Sequence, residues 1–156
     1  MTLTFAGGAI TEKDWEFLQE TLNRYKVRTI LEFGAGMSTV LLNAVPGLKV
    51  VTYETDQLWR QRVLKQSPKC NIRLWKGKNI RELPDTEVYD LAFVDGPAGG
   101  INREISTRAA AEYSNLVVIH DAGREHEKRW QELYLQGKFN GPEKGGTRCH
   151  LWLRQS

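Results

Sequence analysis

The stretch RTILEFGAGMST, residues 28–39, decides the fold of this chain. Its first half, residues 28–33, is a short run rich in branched and aromatic side chains, as is typical of a buried strand. The Gly-Ala-Gly turn at residues 34–36 ends that run, and a helical pattern resumes over residues 37–45. The stretch therefore predicts a strand, a glycine turn and a helix.

The alternation of strand and helix continues along the chain. The predicted strands cover residues 48–54, 71–76, 89–95 and 115–121, and the predicted helices cover residues 56–66, 103–113 and 124–135. A first helix over residues 11–25 precedes them, with Thr11 and Asp14 as its capping signal. Near-continuous apolar strands separated by helices predict a mostly parallel sheet that is covered on both faces.

The C-terminal tail predicts a different kind of strand pairing. Residues 147–154 alternate between polar and apolar side chains, as in a last strand. A short strand near residues 138–140 would pair with it across turns at Gly141-Pro142 and Gly145-Gly146. The predicted fold class is α/β, a doubly wound, mostly parallel Rossmann-like sheet with an antiparallel C-terminal edge hairpin.

Length and composition limit the class of protein. The 156 residues are close to the length of one domain, so we expect a single domain over residues 1–156. A net charge of +3 is too small to argue for a nucleic-acid or membrane partner. No run approaches the roughly 18 apolar residues of a membrane span, and the first ten residues lack the features of a secretory signal. Cys70 and Cys149 lie far apart, so we expect buried, reduced cysteines and a cytoplasmic protein.

Acidic residues and glycines follow four of the predicted strands. The acids and glycines are Glu32, Gly34 and Gly36 at the first strand, Glu54 at the second, Asp95 at the fourth and Asp121 at the fifth, where His120 precedes the acid. In an open parallel sheet, ligands bind at the carboxyl ends of the strands, near the point where the strand order reverses. The pattern therefore predicts a binding crevice at this edge of the sheet.

The glycine turn and Glu54 have the spacing of a nucleoside site. Gly34 and Gly36 let the backbone approach a ligand, and the next helix would present free N–H groups beside the hydroxyls of Ser38 and Thr39. Glu54 ends the second strand about twenty residues after the turn, where an acid accepts hydrogen bonds from ribose hydroxyls. A nucleoside-containing cofactor is therefore predicted, and the alternative is a tight turn with an exposed glutamate. Thr39 stands at the third glycine position of the dinucleotide fingerprint, which disfavours NAD.

The strings EFGAGMSTVLL, TYETD, YDLAFVDGP and VVIHDA resemble the class I S-adenosylmethionine-dependent methyltransferases over about residues 11–154. The resemblance implies S-adenosyl-L-methionine as the cofactor, with its methionine moiety at Glu32 and the glycine turn and its ribose on Glu54. Residues after the third strand usually contact adenine in this family, which implies Asn79 here. The motifs VDGP and HDAGREHE look like those of small-molecule and sugar O-methyltransferases, which implies a small-molecule or saccharide acceptor.

Three residues are candidates for the acid-base work of methyl transfer. Asp95 and Asp121 follow neighbouring strands, and either carboxylate could remove the acceptor proton. We also expect Asp95 to contact the cofactor. His120 is a candidate general base because the ordinary pKa of histidine is about 6.5, and its alternative is packing or a backbone hydrogen bond. His126 is a weaker candidate, expected on a solvated helix face.

A metal site is the second question that the strand ends raise. The catechol-type O-methyltransferases hold Mg²⁺ with an aspartate after the fourth strand and an Asp-Asn pair after the fifth. Asp95 and Asp121 match the first two positions, and Ala122 replaces the third. Two carboxylates bind a hard cation more weakly than three oxygen ligands do. A divalent metal at Asp95 and Asp121 is therefore possible but not expected.

Basic residues border the predicted crevice. Arg103 and Arg124 could clamp an anionic acceptor, and their alternative is a surface position near the start of a helix. Residues 57–81 hold eight basic residues and no acid, with Trp59 and Trp75 interleaved. Such a segment could follow phosphates and stack a base, although a solvated face is the favoured interpretation.

The favoured function is an S-adenosyl-L-methionine-dependent methyltransferase acting on a small molecule or saccharide. The alternative is a non-catalytic module that binds a nucleoside or S-adenosylmethionine. A nucleic-acid methyltransferase is less favoured, because Asp95-Gly96-Pro97 stands where many base methyltransferases carry an NPPY-type loop. The N-terminal segment and the loops at 96–102 and 137–146 would select the acceptor. Since the chain has room for little beyond a minimal core, a homodimer is a weak expectation.

Overall fold

The computed structural model describes residues 10–83, 87–97 and 103–156. The helices are α1 (Glu12–Arg24), α2 (Met37–Asn43), α3 (Gln57–Gln66), α4 (Glu104–Tyr113) and α5 (Glu125–Tyr134). The strands are β1 (Thr29–Phe33), β2 (Lys49–Glu54), β3 (Asn71–Leu74), β4 (Tyr89–Val94), β5 (Ser114–His120), β6 (Phe139–Gly145) and β7 (Cys149–Arg154). The N-terminal segment and most of the 96–102 loop, which we expect to select the acceptor, lie outside the described residues. No helix in the described ranges is long and apolar enough to cross a membrane.

One sheet of seven strands organises the described residues, in the order β3-β2-β1-β4-β5-β7-β6. The first five strands of the chain pair in parallel, and β7 lies antiparallel between β5 and β6. The strand order reverses between β1 and β4, so a crevice opens where these two strands end. The predicted fold class, with its antiparallel C-terminal edge, is confirmed.

The two faces of the sheet carry separate parts of the core. Ile30 packs with Leu18 and Leu22 of α1, whereas its neighbour Leu31 packs on the opposite face with Ala109 of α4. Successive side chains of a strand point to opposite faces, and here both faces are covered. This burial explains why the strands have near-continuous apolar sequences.

The C-terminal hairpin differs from its prediction at one point. β6 runs through Gly141 and Pro142, and the turn follows at residues 146–148. The predicted turn at Gly141-Pro142 is wrong because β6 is an outer edge strand, where a residue without an N–H is tolerated. The pairing with β7 shifts register between Asn140 and Glu143 to accommodate it.

Candidate active site

The ends of β1 and β4 meet backbone to backbone at two glycines. Gly34 has φ +94°, and a Cβ built there would lie 2.7 Å from the carbonyl oxygen of Asp95. A Cβ on Gly96 would lie 2.6 Å from the Cα of Gly34. By contrast, a Cβ on Gly36 would meet nothing within 4 Å. Gly34 is therefore needed for close packing of the strands, and Gly36 borders open space that a ligand could enter.

Glu32 lies beneath the glycine turn and is fully buried. Its carboxylate accepts hydrogen bonds from Ser38 Oγ at 2.5 Å, Thr39 Oγ1 at 2.5 Å and Thr52 Oγ1 at 2.9 Å. Burial raises the pKa of Glu32 to about 7, although these hydroxyl hydrogen bonds oppose the shift. The predicted ligand residues Ser38 and Thr39 thus serve as donors to Glu32, and they hold the turn from below.

Glu54 joins the ends of β1 and β2. Its Oε1 accepts a hydrogen bond from the Ala35 N–H at 2.9 Å, and its Oε2 accepts from the N–H groups of Thr55 at 2.7 Å and Asp56 at 2.9 Å. The side chain is buried, with 4% of the residue exposed, so the alternative of an exposed glutamate is wrong. We refer to Glu32, residues 34–36 and Glu54 as the glycine-turn site.

The segment after β3 lies beside this site. A Cβ on Gly77 would lie 3.2 Å from the Thr55 side chain and 3.4 Å from that of Pro97. Asn79 caps a short 3-10 helix, Ile80–Glu82, and its Oδ1 accepts a hydrogen bond from the Arg81 N–H at 2.9 Å. The side-chain oxygen of Asn79 therefore already accepts a hydrogen bond within its own turn. That Asn79 contacts adenine stays a prediction.

His120 lies at the centre of a second group of ionised side chains. Its Nδ1 is 2.8 Å from Asp95 Oδ1, and its Nε2 is 3.2 Å from Asp14 Oδ2. Burial lowers the pKa of His120, but hydrogen bonds and charges from Asp121 and Asp95 outweigh it and raise the pKa to about 10. The ring is therefore an imidazolium with both nitrogens engaged, which argues against the general-base role that the sequence allowed.

Asp121 adopts the left-handed conformation, with φ +55°, directly after β5. Its Oδ2 lies 3.3 Å from His120 Nδ1 and 3.1 Å from Arg124 Nη2. Its Oδ1 lies 3.1 Å from Arg148 Nη1, without the alignment of a hydrogen bond. Burial alone would raise the pKa of Asp121. His120 and the two arginines lower it by more, so the pKa of Asp121 lies below its ordinary value. Asp121 is a carboxylate surrounded by cations.

Arg103 reaches the same group from the start of α4. Its Nε donates to the Pro97 carbonyl at 3.1 Å, and its guanidinium lies 3.8 Å from both Asp95 Oδ1 and Asp121 Oδ2. Only 6% of the residue is exposed, so the alternative of a surface arginine is wrong for Arg103. Arg124 is exposed and contacts Asp121. Arg103 faces the carboxylates of Asp95 and Asp121, so it does not form a clamp for an anionic acceptor.

Asp14 is the site residue that sequence reasoning missed. It was expected only to cap α1, and it does accept a hydrogen bond from the Thr11 N–H at 3.0 Å. It also accepts from the Thr147 N–H at 2.8 Å and contacts His120. Burial raises the pKa of Asp14, but hydrogen bonds from Thr11 and Thr147 bring it below its usual range. The available signal was its place in the buried stripe of α1, four residues before Leu18.

We refer to Asp14, Asp95, Arg103, His120 and Asp121 as the charged cluster. His126, the weaker catalytic candidate, is exposed on α5, as expected of a solvated face. Both cysteines are buried and unpaired, as predicted. Cys149 borders the cluster, and its thiol donates to Asp14 Oδ1 at 3.6 Å.

Within the part of the chain that the structure describes, two sets of side chains have ligand atoms close enough to suit a metal, Asp95-His120-Asp121 and Asp14-His120-Cys149. In the first set, the carboxylates already face His120 and Arg103, so positive charge occupies the space between them. In the second, burial raises the pKa of the Cys149 thiol, whereas a metal requires the thiolate. Neither set fits a hard divalent cation.

Comparisons with known proteins identify the fold. No family model matches the chain, and neither does any curated protein. Among solved structures, the O-methyltransferase from Bacillus cereus in complex with SAH has a TM-score of 0.74 and 17% identity, covering 97% of this chain and 84% of that one. The O-methyltransferase TomG from Streptomyces achromogenes, in complex with SAM, has a TM-score of 0.60 and 20% identity, covering 90% and 79%.

An RNA-modifying enzyme shares the same fold. The 16S rRNA N2 G1207 methyltransferase RsmC from T. thermophilus has a TM-score of 0.60 and 18% identity, and it covers 90% of this chain but 42% of that one. The chain therefore has the Rossmann-like fold of the class I S-adenosylmethionine-dependent methyltransferases. The sequence resemblance is confirmed at the level of the fold.

Proposed function

We propose that residues 1–156 form one S-adenosyl-L-methionine-dependent methyltransferase domain that acts on a hydroxyl group of a small molecule or saccharide. The observation that carries the proposal is the open space at Gly36, which follows β1 at the point where the strand order reverses between β1 and β4. Ligands of doubly wound folds bind at this point. The structural neighbours that contain SAM or SAH have the same fold.

The glycine-turn site suits the proposed cofactor in both shape and charge. Gly36 has no side chain to fill the open space, so a ligand can approach the backbone. Glu54 Oε1 accepts one hydrogen bond, and a carboxylate oxygen can accept two, so capacity remains for a ribose hydroxyl. In the described residues, the donors to Glu32 and Glu54 are neutral hydroxyl and N–H groups. These donors therefore do not repel a positively charged ligand.

Asp95 is the candidate base. When bound, S-adenosyl-L-methionine would supply a methyl group on a positively charged sulfur. The acceptor oxygen bonds to the methyl carbon as the carbon–sulfur bond breaks, and the acceptor proton must leave. The Asp95 side chain is 17% exposed and Asp121 only 4%, so Asp95 can reach an acceptor more readily. His120 orients the Asp95 carboxylate through the hydrogen bond at 2.8 Å.

Calorimetry with S-adenosylhomocysteine tests cofactor binding. We expect the wild type to bind and Glu54→Gln to bind at least about tenfold more weakly, since hydrogen bonds to a charged group contribute about 1.5–3 kcal/mol. Glu20→Gln, an exposed position on α1, is the matched control and should bind as the wild type does. An absence of binding by the wild type, or equal affinity of Glu54→Gln, would contradict the proposal.

A transfer assay separates the enzyme from a non-catalytic binding module. We expect labelled methyl from S-adenosyl-L-methionine to reach a hydroxylated small molecule or saccharide in a broad panel, and Asp95→Asn to reduce the rate by about 10²-fold or more. Intact binding of S-adenosylhomocysteine without transfer to any acceptor would favour the module.

The basic residues of the 57–81 segment favour a nucleic-acid acceptor less than their number suggests. Arg60 Nε donates to the Ile72 carbonyl at 2.6 Å, and Arg73 donates to the Tyr53 hydroxyl at 3.1 Å. Trp75 is buried, and the Trp59 indole donates to the Ala35 carbonyl. The buried Trp75 indole is therefore not free to stack a base. Retardation of RNA by the wild type in a gel, abolished by raising the salt concentration, would support this alternative.

A further inference from the structure

We propose that His120 and Arg103 form a built-in cationic bridge between Asp95 and Asp121, in place of the divalent metal that the catechol-type O-methyltransferases hold with the matching carboxylates. This inference rests on the proposed function for its catalytic meaning, because the bridge would position the carboxylates for the acceptor. It predicts that the chain neither needs nor binds a divalent cation at this position.

The position of the His120 ring is the first support. Nδ1 lies 2.8 Å from Asp95 Oδ1 and 3.3 Å from Asp121 Oδ2. A cation that bridges two carboxylates must lie within about 2.0–2.6 Å of an oxygen from each. The imidazole nitrogen occupies the space between the same two oxygens, so a metal could enter only after the ring had moved.

Asp14 makes such a movement costly. The other ring nitrogen, Nε2, is 3.2 Å from Asp14 Oδ2, and the ring is completely buried. Asp14 is itself held by hydrogen bonds from Thr11 at one end of α1 and from Thr147 in the turn between β6 and β7. Asp14 is therefore a positioning residue that fixes His120 from the side opposite the two aspartates.

Arg103 supplies a second positive charge. Its guanidinium lies 3.8 Å from Asp95 Oδ1 and from Asp121 Oδ2, and it also donates to the Pro97 and His120 carbonyls. These carbonyls follow Asp95 by two residues and precede Asp121 by one, so the guanidinium ties the ends of β4 and β5 together. A divalent cation in the same space would be repelled by this charge, which is buried and poorly screened.

The position of the third metal ligand provides no oxygen. Ala122 replaces the asparagine of the metal-dependent pattern, and its N–H donates to the Arg148 carbonyl at 3.1 Å. Arg124 and Arg148 then add two further cations next to Asp121. The carboxylates are thus neutralised by side chains alone.

A titration with Mn²⁺ tests the bridge without any cofactor or acceptor. Binding is measured by calorimetry and by the electron spin resonance signal of the free ion. We expect no saturable binding by the wild type up to about 1 mM. His120→Ala should gain Mn²⁺ binding by at least tenfold, because removal of the ring opens the space between the Asp95 and Asp121 oxygens. Arg103→Lys should keep the wild-type behaviour, and Arg108→Gln, an exposed position on α4, is the matched control.

Stoichiometric Mn²⁺ binding by the wild type that Asp121→Asn abolishes would overturn the bridge. If His120→Ala does not fold, the wild-type titration still decides. S-adenosylhomocysteine affinity measured with and without a chelator should be equal, and a loss in chelator would also overturn it. Mn²⁺ binding and cofactor binding are separate measurements. The bridge can therefore fail while the proposed methyltransferase function stands, and the proposed function can fail while the bridge stands.

Discussion

The glycine-turn site and the charged cluster lie side by side at the carboxyl ends of the strands, and they accommodate buried carboxylates in opposite ways. Glu32 and Glu54 accept hydrogen bonds from hydroxyl and backbone N–H groups. Asp14, Asp95 and Asp121 instead contact the cation His120. Among the described residues, the first site holds its carboxylates with neutral donors and places no cation against them, whereas the cations of the second hold its carboxylates in place.

The two sites also differ in how far along the chain their parts lie. Glu32 binds hydroxyls 6 and 7 residues away, and Glu54 binds the N–H of a residue 19 positions away. His120 contacts Asp95 across 25 residues and Asp14 across 106. The first site is built by one strand–turn–helix unit and the next strand. The second exists only after α1, β4, α4 and β5 have come together.

Removal of the His120 charge should have the largest effect. His120→Leu leaves the buried carboxylates of Asp14 and Asp121 and the half-buried Asp95 without the imidazolium, so we expect a loss of about 3–5 kcal/mol in the free energy of unfolding at pH 7. Urea denaturation measures it, and His126→Leu, at an exposed position, should change stability by less than about 0.5 kcal/mol. Equal stability of the two variants would show that the cluster contributes no more than a surface site.

The two glycines of the turn should separate stability from binding. Gly34→Ala should cost about 1–3 kcal/mol, because its Cβ would lie 2.7 Å from the Asp95 carbonyl oxygen. Gly36→Ala meets no protein atom within 4 Å, so it should leave stability unchanged and weaken S-adenosylhomocysteine binding. Thermal unfolding and calorimetry on both variants test this, and the opposite pattern would refute the division of roles.

The pH dependence of stability should identify the charged cluster. The folded-state pKa of His120 is raised to about 10, from an ordinary value of 6.5. Its contribution should therefore be complete below about pH 6.5 and decline as the pH rises towards 10, because the unfolded chain loses the proton first. The difference in unfolding free energy between the wild type and His120→Leu, measured from pH 6 to 10, should shrink with pH. A constant difference would contradict this.

Glu32 should change stability in a different pH window. Its folded-state pKa is raised from 4.5 to about 7, so the folded chain keeps a proton that the unfolded chain loses. The stability of the wild type should therefore fall as the pH rises from about 4.5 to 7, and Glu32→Gln should remove that slope. A slope of the same size in Glu32→Gln, in urea titrations across this range, would assign it to other groups.

Much of the fold could be predicted because its signals are local. Apolar runs, the glycine turn and the helix cap at Thr11 each depend on a few consecutive residues. β6 was predicted poorly because Gly141-Pro142 usually marks a turn, and only the edge position of the strand allows it within the pairing. Whether Gly141-Pro142 forms a turn or part of a strand therefore depended on the pairing of β6 with β7.

The candidate site divides in the same way. The place of Glu54 at the end of β2 followed from the sequence, whereas its burial and its bond to the Ala35 N–H did not. The sequence named His120 and Asp121 but not the protonation state of the ring, since that depends on which carboxylates surround it. Asp14 was predicted only as a helix cap, and Arg103 as a clamp for an anionic acceptor or a surface arginine, because each contacts the cluster only through tertiary packing.

The sequence by itself determined the order of strands and helices, the glycine turn and the acids that end the strands, since these depend on residue type and short spacing. Only the tertiary structure decided which acids share a cation, that His120 is an imidazolium, and that Asp95 and Asp121 face side chains of opposite charge. The physical reason is that charge, burial and pKa are set by atoms within a few ångströms, and those atoms come from distant parts of the chain.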